Sequence, residues 1–142
     1  MKIYSKSGLA LTAQFEGCSL VAYRDLGGIW TIGYGHTTNV DAGDTCTQSQ
    51  AEQWLIDDTK AASDAVNNLV KINLTQGEHD ALTDFVFNVG IGAFSRSTML
   101  KLLNDNHLPE AADQFHRWDM VSGRHVAGLL RRREAEEKEF MS

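Results

Sequence analysis

The sequence predicts an α+β chain, mostly helical, with its strands segregated from its helices. Three observations carry that prediction. A single strand-like cluster turns at Gly27-Gly28, a capping box at Thr47-Gln48-Ser49-Gln50 opens the longest helical pattern, and helix signals fill the remainder of the chain to its end. At 142 residues with one proline and 42% hydrophobic content, the chain makes one domain with a real core.

In order, Leu9, Thr12, Ala13 and Glu16 recur at helical spacing from Ser7, and Gly17 supplies a stop. Glu16 therefore falls in the last turn of helix one. A hairpin continues to about Thr38. On its returning strand Trp30, Ile32 and Tyr34 alternate with Thr31, Gly33 and Gly35, so one face is bulky and the other nearly bare and open to close approach by a polymer. After a polar loop from Asn39 to Asp44, the capped pattern through Ala51, Trp54, Leu55, Ala62, Val66 and Leu69 predicts a helix of residues 47–71. A second capping box, Thr75 to Glu78, opens a helix that is apolar nearly all round to Val89, where Gly90 and Gly92 break it. Ser97 caps a short helix through Leu103. Pro109 starts one carrying Ala112, Phe115 and Trp118, and Ser122-Gly123 turns the chain into a last helix from about Ala127.

Chemistry concentrates in residues 16–38. Two carboxylates near in sequence but in unlike surroundings are what glycosidic-bond cleavage requires, because one must hold a proton while the other stays ionised. Glu16, among Phe15, Cys18 and Leu20, reads as the desolvated acid with a raised pKa. Asp25, between Arg24 and the Gly-Gly turn, reads as the ionised partner, and Thr31 adds a hydroxyl on the same ribbon to orient a water. The net charge of −6 is unevenly spread, with acids crowding residues 41–64, and no polyanion-binding patch is implied, which argues against a nucleic-acid partner. The five histidines lack metal spacing and the two cysteines form no cluster, so neither metal nor cofactor is expected. Cys18 and Cys46 read as reduced thiols or as a bridge formed in an oxidising compartment. Lys6, Ser7, Gln14 and Glu16 interrupt every apolar run near the start, so neither a signal peptide, a signal anchor nor membrane insertion is expected.

Glu16, eight residues, Asp25, five residues, Thr31, then Ile32-Gly33-Tyr34-Gly35-His36-Thr37, resembles the catalytic region of the phage-type lysozymes, the endolysins of glycoside hydrolase family 24. Phe85 to Phe94 and Gly128 to Glu134 resemble the family's later signatures in the same order, so the likeness spans nearly the whole chain. It implies a lysozyme-like two-lobe fold: a small hairpin-containing lobe (about 1–46), a connecting helix (about 47–71) and a helical lobe (about 72–142) in a single catalytic domain. It also implies a muramidase that cuts the β-1,4 bond between N-acetylmuramic acid and N-acetylglucosamine of peptidoglycan with inversion. Glu16, Asp25 and Thr31 would be catalytic. Tyr23, Gly35, His36, Phe87 and Asn88 would contact the glycan. His36 and Asp58 are expected to form an ion pair if the hairpin faces the long helix. The resemblance further implies a monomer held in the host cytoplasm until a holin releases it to the periplasm and wall. Two rivals are a lytic transglycosylase, for which an Asp-Thr pair aimed at water is superfluous, and a catalytically idle wall-binding or structural virion component, against which the intact triad argues.

Overall fold

A computed structural model describes all residues, 1–142, and shows a mostly helical chain with two small hairpins. Helix α1 (Lys6–Glu16) starts at Ser5, whose hydroxyl accepts from the Gly8 amide, and stops at Gly17, whose φ of 69° suits a residue without a Cβ. Strands β1 (Ser19–Arg24) and β2 (Trp30–Gly33) pair antiparallel, with Tyr23 opposite Thr31 and Arg24 opposite Trp30. Helix α2 (Gln48–Leu69) and helix α3 (Gln76–Val89) each begin with both halves of the capping box their sequences announce.

Beyond α3 come α4 (Ile91–Ser95), α5 (Thr98–Asn104), α6 (Leu108–Ala112), a 3₁₀ turn at Phe115–Arg117, strands β3 (Met120–Val121) and β4 (Arg124–His125), and α7 (Ala127–Met141). Three details differ from expectation. Gly90 alone ends α3, with φ 100°, while Gly92 lies inside α4. The helix expected through Trp118 stops at Ala112, and the chain re-forms only the 3₁₀ turn, which lets Phe115 enter the core fully buried. The Ser122-Gly123 turn joins a second hairpin, β3–β4, because both residues take positive φ (50° and 78°), the backbone that two-residue hairpin turns require.

One contiguous core gathers Val66, Leu82, Phe85, Val86, Phe94, Met99, Leu103 and Phe115, with Phe85 at its centre making edge contacts to the rings of Phe94, Phe115 and Trp118. It belongs to α2 through α7. The hairpin β1–β2 instead rests on the start of α2, where Gly33 meets Ala51: a Cβ at 33 would lie 3.2 Å from that side chain. Helix α1 packs mainly on α3 and also touches α7, so it is tied to the helical body although it falls within the first 46 residues.

Candidate active site

Glu16 occupies the last turn of α1 and is about one-fifth exposed. The apolar pocket expected around it is not what surrounds it: Cys18 and Leu20 are exposed, and the carboxyl instead meets a cation. Arg132 Nη1 donates to Glu16 Oε2 at 2.7 Å, across 116 residues of sequence. The same guanidinium grips Asp84, with Nε donating to Oδ2 at 3.0 Å and Nη2 to Oδ1 at 2.8 Å, and its face lies 5.7 Å from the Phe15 ring centre. Thr12 Oγ1 donates to Asp84 Oδ1 (2.7 Å), and Tyr4 Oη shares a 2.6 Å hydrogen bond with that hydroxyl.

This network is almost entirely buried, so its charges must settle one another. Burial opposes the charge on Asp84, but hydrogen bonds from Glu136, Arg132 and Thr12 outweigh it and the pKa falls below the usual range. Burial likewise opposes the charge on Arg132, yet Asp84 and Glu16 outweigh it and its pKa rises. Glu136 goes the other way: burial first, then the neighbouring Asp84, hold its carboxyl well above the ordinary value. Arg133 Nη2 donates to Glu136 Oε2 at 3.0 Å and to Asn88 Oδ1 at 2.8 Å. Its Nε sits 2.7 Å from Glu136 Oε1 without the alignment of a hydrogen bond.

Asp25 sits at the exposed tip of the first hairpin. Its Oδ1 accepts from the amides of Gly27 and Ile29, each at 2.9 Å, while its own amide and carbonyl bond Ile29 and Gly28. The carboxylate is thus pinned by its own turn, with Oδ2 left to solvent. Thr31 lies on β2, almost wholly buried, and its hydroxyl donates to the Ile29 carbonyl at 2.9 Å. Tyr23 is its cross-strand neighbour and is partly exposed.

The expected bare face of β2 is only partly bare, since Gly33 is closed off by α2. Gly35 is approached from the other side, by Glu16. Its φ is +76°, and a Cβ there would lie 2.8 Å from Glu16 Oε1, so the backbone passes directly against the acid. His36 is tied to α2 instead of standing free: Nδ1 lies 2.8 Å from Asp58 Oδ2, as expected, and the ring stacks on Trp54 at 4.5 Å with a 3° tilt. Phe87 packs at the edge of the core. Asn88, already engaged by Arg133, lines a cavity of about 470 Å³ with Trp118, Met120, Val121 and Leu129. Both cysteine thiols are free, and Cys18 Sγ lies 3.8 Å from Gln48 Oε1. No group of three His, Cys, Asp or Glu side chains is placed to hold a metal ion.

Arg132 and Asp84 were not singled out from the sequence, where Arg132 lies in a run of three arginines followed by glutamates. Arg131 is exposed, but Arg132 and Arg133 are buried. Two signals were available. Arg133, Glu136 and Phe140 recur at the three- and four-residue steps of a buried helix face, and Asp84 stands in an otherwise apolar helix, where a charge needs a partner.

Residues 13–136 match the family model described as Phage lysozyme. The chain is 42% identical over 142 residues to an endolysin of Acyrthosiphon pisum secondary endosymbiont phage 1, covering 97% of each. In structure it is similar to the muramidase domain of SpmX from Asticcacaulis excentricus, with a TM-score of 0.94, 37% identity and coverage of 100% of this chain and 99% of that one. It is similar too to P22 lysozyme, with a TM-score of 0.92, 37% identity and complete coverage of both chains.

Proposed function

The chain belongs to the phage lysozyme family, and from that premise we propose how Glu16 and the first hairpin work as the active site of a peptidoglycan-cleaving endolysin. It is a glycosidase-type hydrolase whose action on the bacterial wall serves phage lysis. The bond cut is the β-1,4 link between N-acetylmuramic acid and N-acetylglucosamine.

The observation that carries this reading is the approach of Gly35 to Glu16, because it sets the carboxyl at the end of α1 against the same ribbon that bears Thr31 and, at its tip, Asp25. Glu16 gives its proton to the glycosidic oxygen as the bond to the anomeric carbon breaks. A water held by Asp25 and Thr31 attacks that carbon from the opposite face and passes its proton to Asp25. The product keeps an inverted anomeric centre. Tyr23 offers a half-exposed aromatic face for a sugar, and Asn88 a polar contact farther along. The enzyme works as a monomer and waits in the host cytoplasm for holin-dependent release. No helix is long and apolar enough to cross a membrane.

Turbidity of outer-membrane-stripped Gram-negative cells, combined with mass analysis of the muropeptides, tests the reaction. Reducing-end products support it, and 1,6-anhydro products would instead mark a lytic transglycosylase. Proton NMR of a cleaved oligomer at early times should show the inverted anomer first.

A further inference from the structure

Glu16 has no side-chain partner on its own helix: its carboxyl is held by Arg132 of α7. Arg132 is in turn held by Asp84 of α3 through two parallel N–H···O bonds, and Asp84 carries no solvent exposure at all. A guanidinium is planar, so fixing Nε and Nη2 on one carboxylate fixes where Nη1 points. Thr12 closes the circuit by donating to Asp84 from the first helix, one turn before Glu16.

The consequence for Glu16 is that its two oxygens are unlike. Oε2 faces a cationic N–H at 2.7 Å and cannot turn a hydroxyl hydrogen toward it, so a proton on this carboxyl belongs on Oε1. Oε1 is the atom that faces Gly35, whose backbone can approach it closely because no Cβ intervenes. We propose that Asp84, acting through Arg132, is the positioning residue of the catalytic acid and selects Oε1 of Glu16 as the oxygen that donates the proton. This rests on the assignment of Glu16 as the acid.

The test compares Asp84→Asn, Arg132→Lys and Glu16→Gln on a soluble peptidoglycan oligosaccharide, with circular dichroism on each. In Asp84→Asn an amide N–H replaces one acceptor and the two-pronged grip is lost. Arg132→Lys keeps a buried positive charge, and so serves if Asp84→Asn fails to fold, but a point charge cannot span both carboxylates. Both should lose kcat on the order of 10²-fold, the effect of a misplaced reacting group, with KM within about twofold of wild type. Leu103→Ala, a core truncation in the same helical body, is the control for lost stability alone and should keep its kcat well below its melting temperature. If folded Asp84→Asn and Arg132→Lys proteins lose no more kcat than Leu103→Ala while Glu16→Gln is inactive, the positioning role is wrong and the acid assignment stands. If Glu16→Gln keeps wild-type kcat, the acid assignment itself falls and this inference with it.

Discussion

Glu16 is held by a guanidinium whose other donors are spent on a buried aspartate, whereas Asp25 is held only by two amides of its own turn. The first arrangement draws on α1, α3 and α7 and carries the desolvation cost of several buried charges. The second is local, exposed and built from consecutive residues of one turn. The difference separates two demands of the chemistry. In the proposed reaction the proton leaves from one oxygen in one direction, which suits a carrier anchored in the helical body. In the same proposal the carboxylate that addresses water needs only to remain charged, and a solvated turn in which only Oδ1 is engaged provides that.

The largest effect should come from breaking the anchored end. Glu16→Gln keeps the shape and the acceptor for Arg132 but removes the proton, and the lysis rate should fall by about 10³–10⁴ with the fold intact by circular dichroism. Near-normal lysis by that folded variant would remove the basis of the comparison. Asp25→Asn comes next. The amide oxygen can still accept from Gly27 and Ile29, so the turn should persist while lysis falls by roughly 10²–10³; a fall in melting temperature comparable to that of a core mutant would mean the turn is not as self-contained as described.

Gly35→Ala tests the point where the two ends meet. It forces a left-handed backbone on a residue with a Cβ, costing about 1–2 kcal/mol, and brings that Cβ against Oε1. Thermal melts should show that cost, and assays on the folded fraction should show a loss of activity smaller than that of Asp25→Asn. An active Gly35→Ala protein of normal kcat would show that Oε1 does not need that close glycine backbone.

The smallest effect concerns stability of the anchored end alone. His79, on α3 with Asp84, is fully buried, its Nε2 is 2.9 Å from Ser63 Oγ, and burial lowers its pKa from the ordinary 6.5. The unfolded chain therefore takes up the proton first as pH falls. This contribution to stability is present above 6.5 and is lost as pH drops below that value toward the depressed folded one. Melting temperatures measured from about pH 7 to about pH 5 should decline, and less steeply in His79→Gln. Equal slopes would assign the decline to other groups.

Much of the hairpin side was legible in the sequence, because its determinants are local. The Gly-Gly turn, the alternation on β2, the caps at Thr47 and Thr75 and the stop at Gly17 are read from residues within a few positions of one another. The pairing of His36 with Asp58 became readable once the hairpin was placed against α2. The anchored side was not legible. Arg132 and Glu16 are far apart in the chain, and a guanidinium in a charged run looks solvated until a helix face is assigned to it. The same gap obscures the environment of Glu16, whose sequence neighbours are apolar but whose spatial neighbour is a cation. Trp118 and the second hairpin escape for a smaller reason: a helix signal at Pro109 says where a helix begins and little about its length.

The 116-residue span between Glu16 and Arg132 also bears on the order in which the protein matures during synthesis. The ribosome has made α1, the hairpin, α2 and α3 long before it reaches α7, and until then Asp84 faces the interior with no cation to answer it. The buried carboxylate of Asp84 therefore works against closing the helical body early, and Glu16 lacks its guanidinium partner until then. On the proposed positioning role, a chain that stops before the final helix lacks Arg132, and its lysis rate is expected to fall at least as far as that of Arg132→Lys.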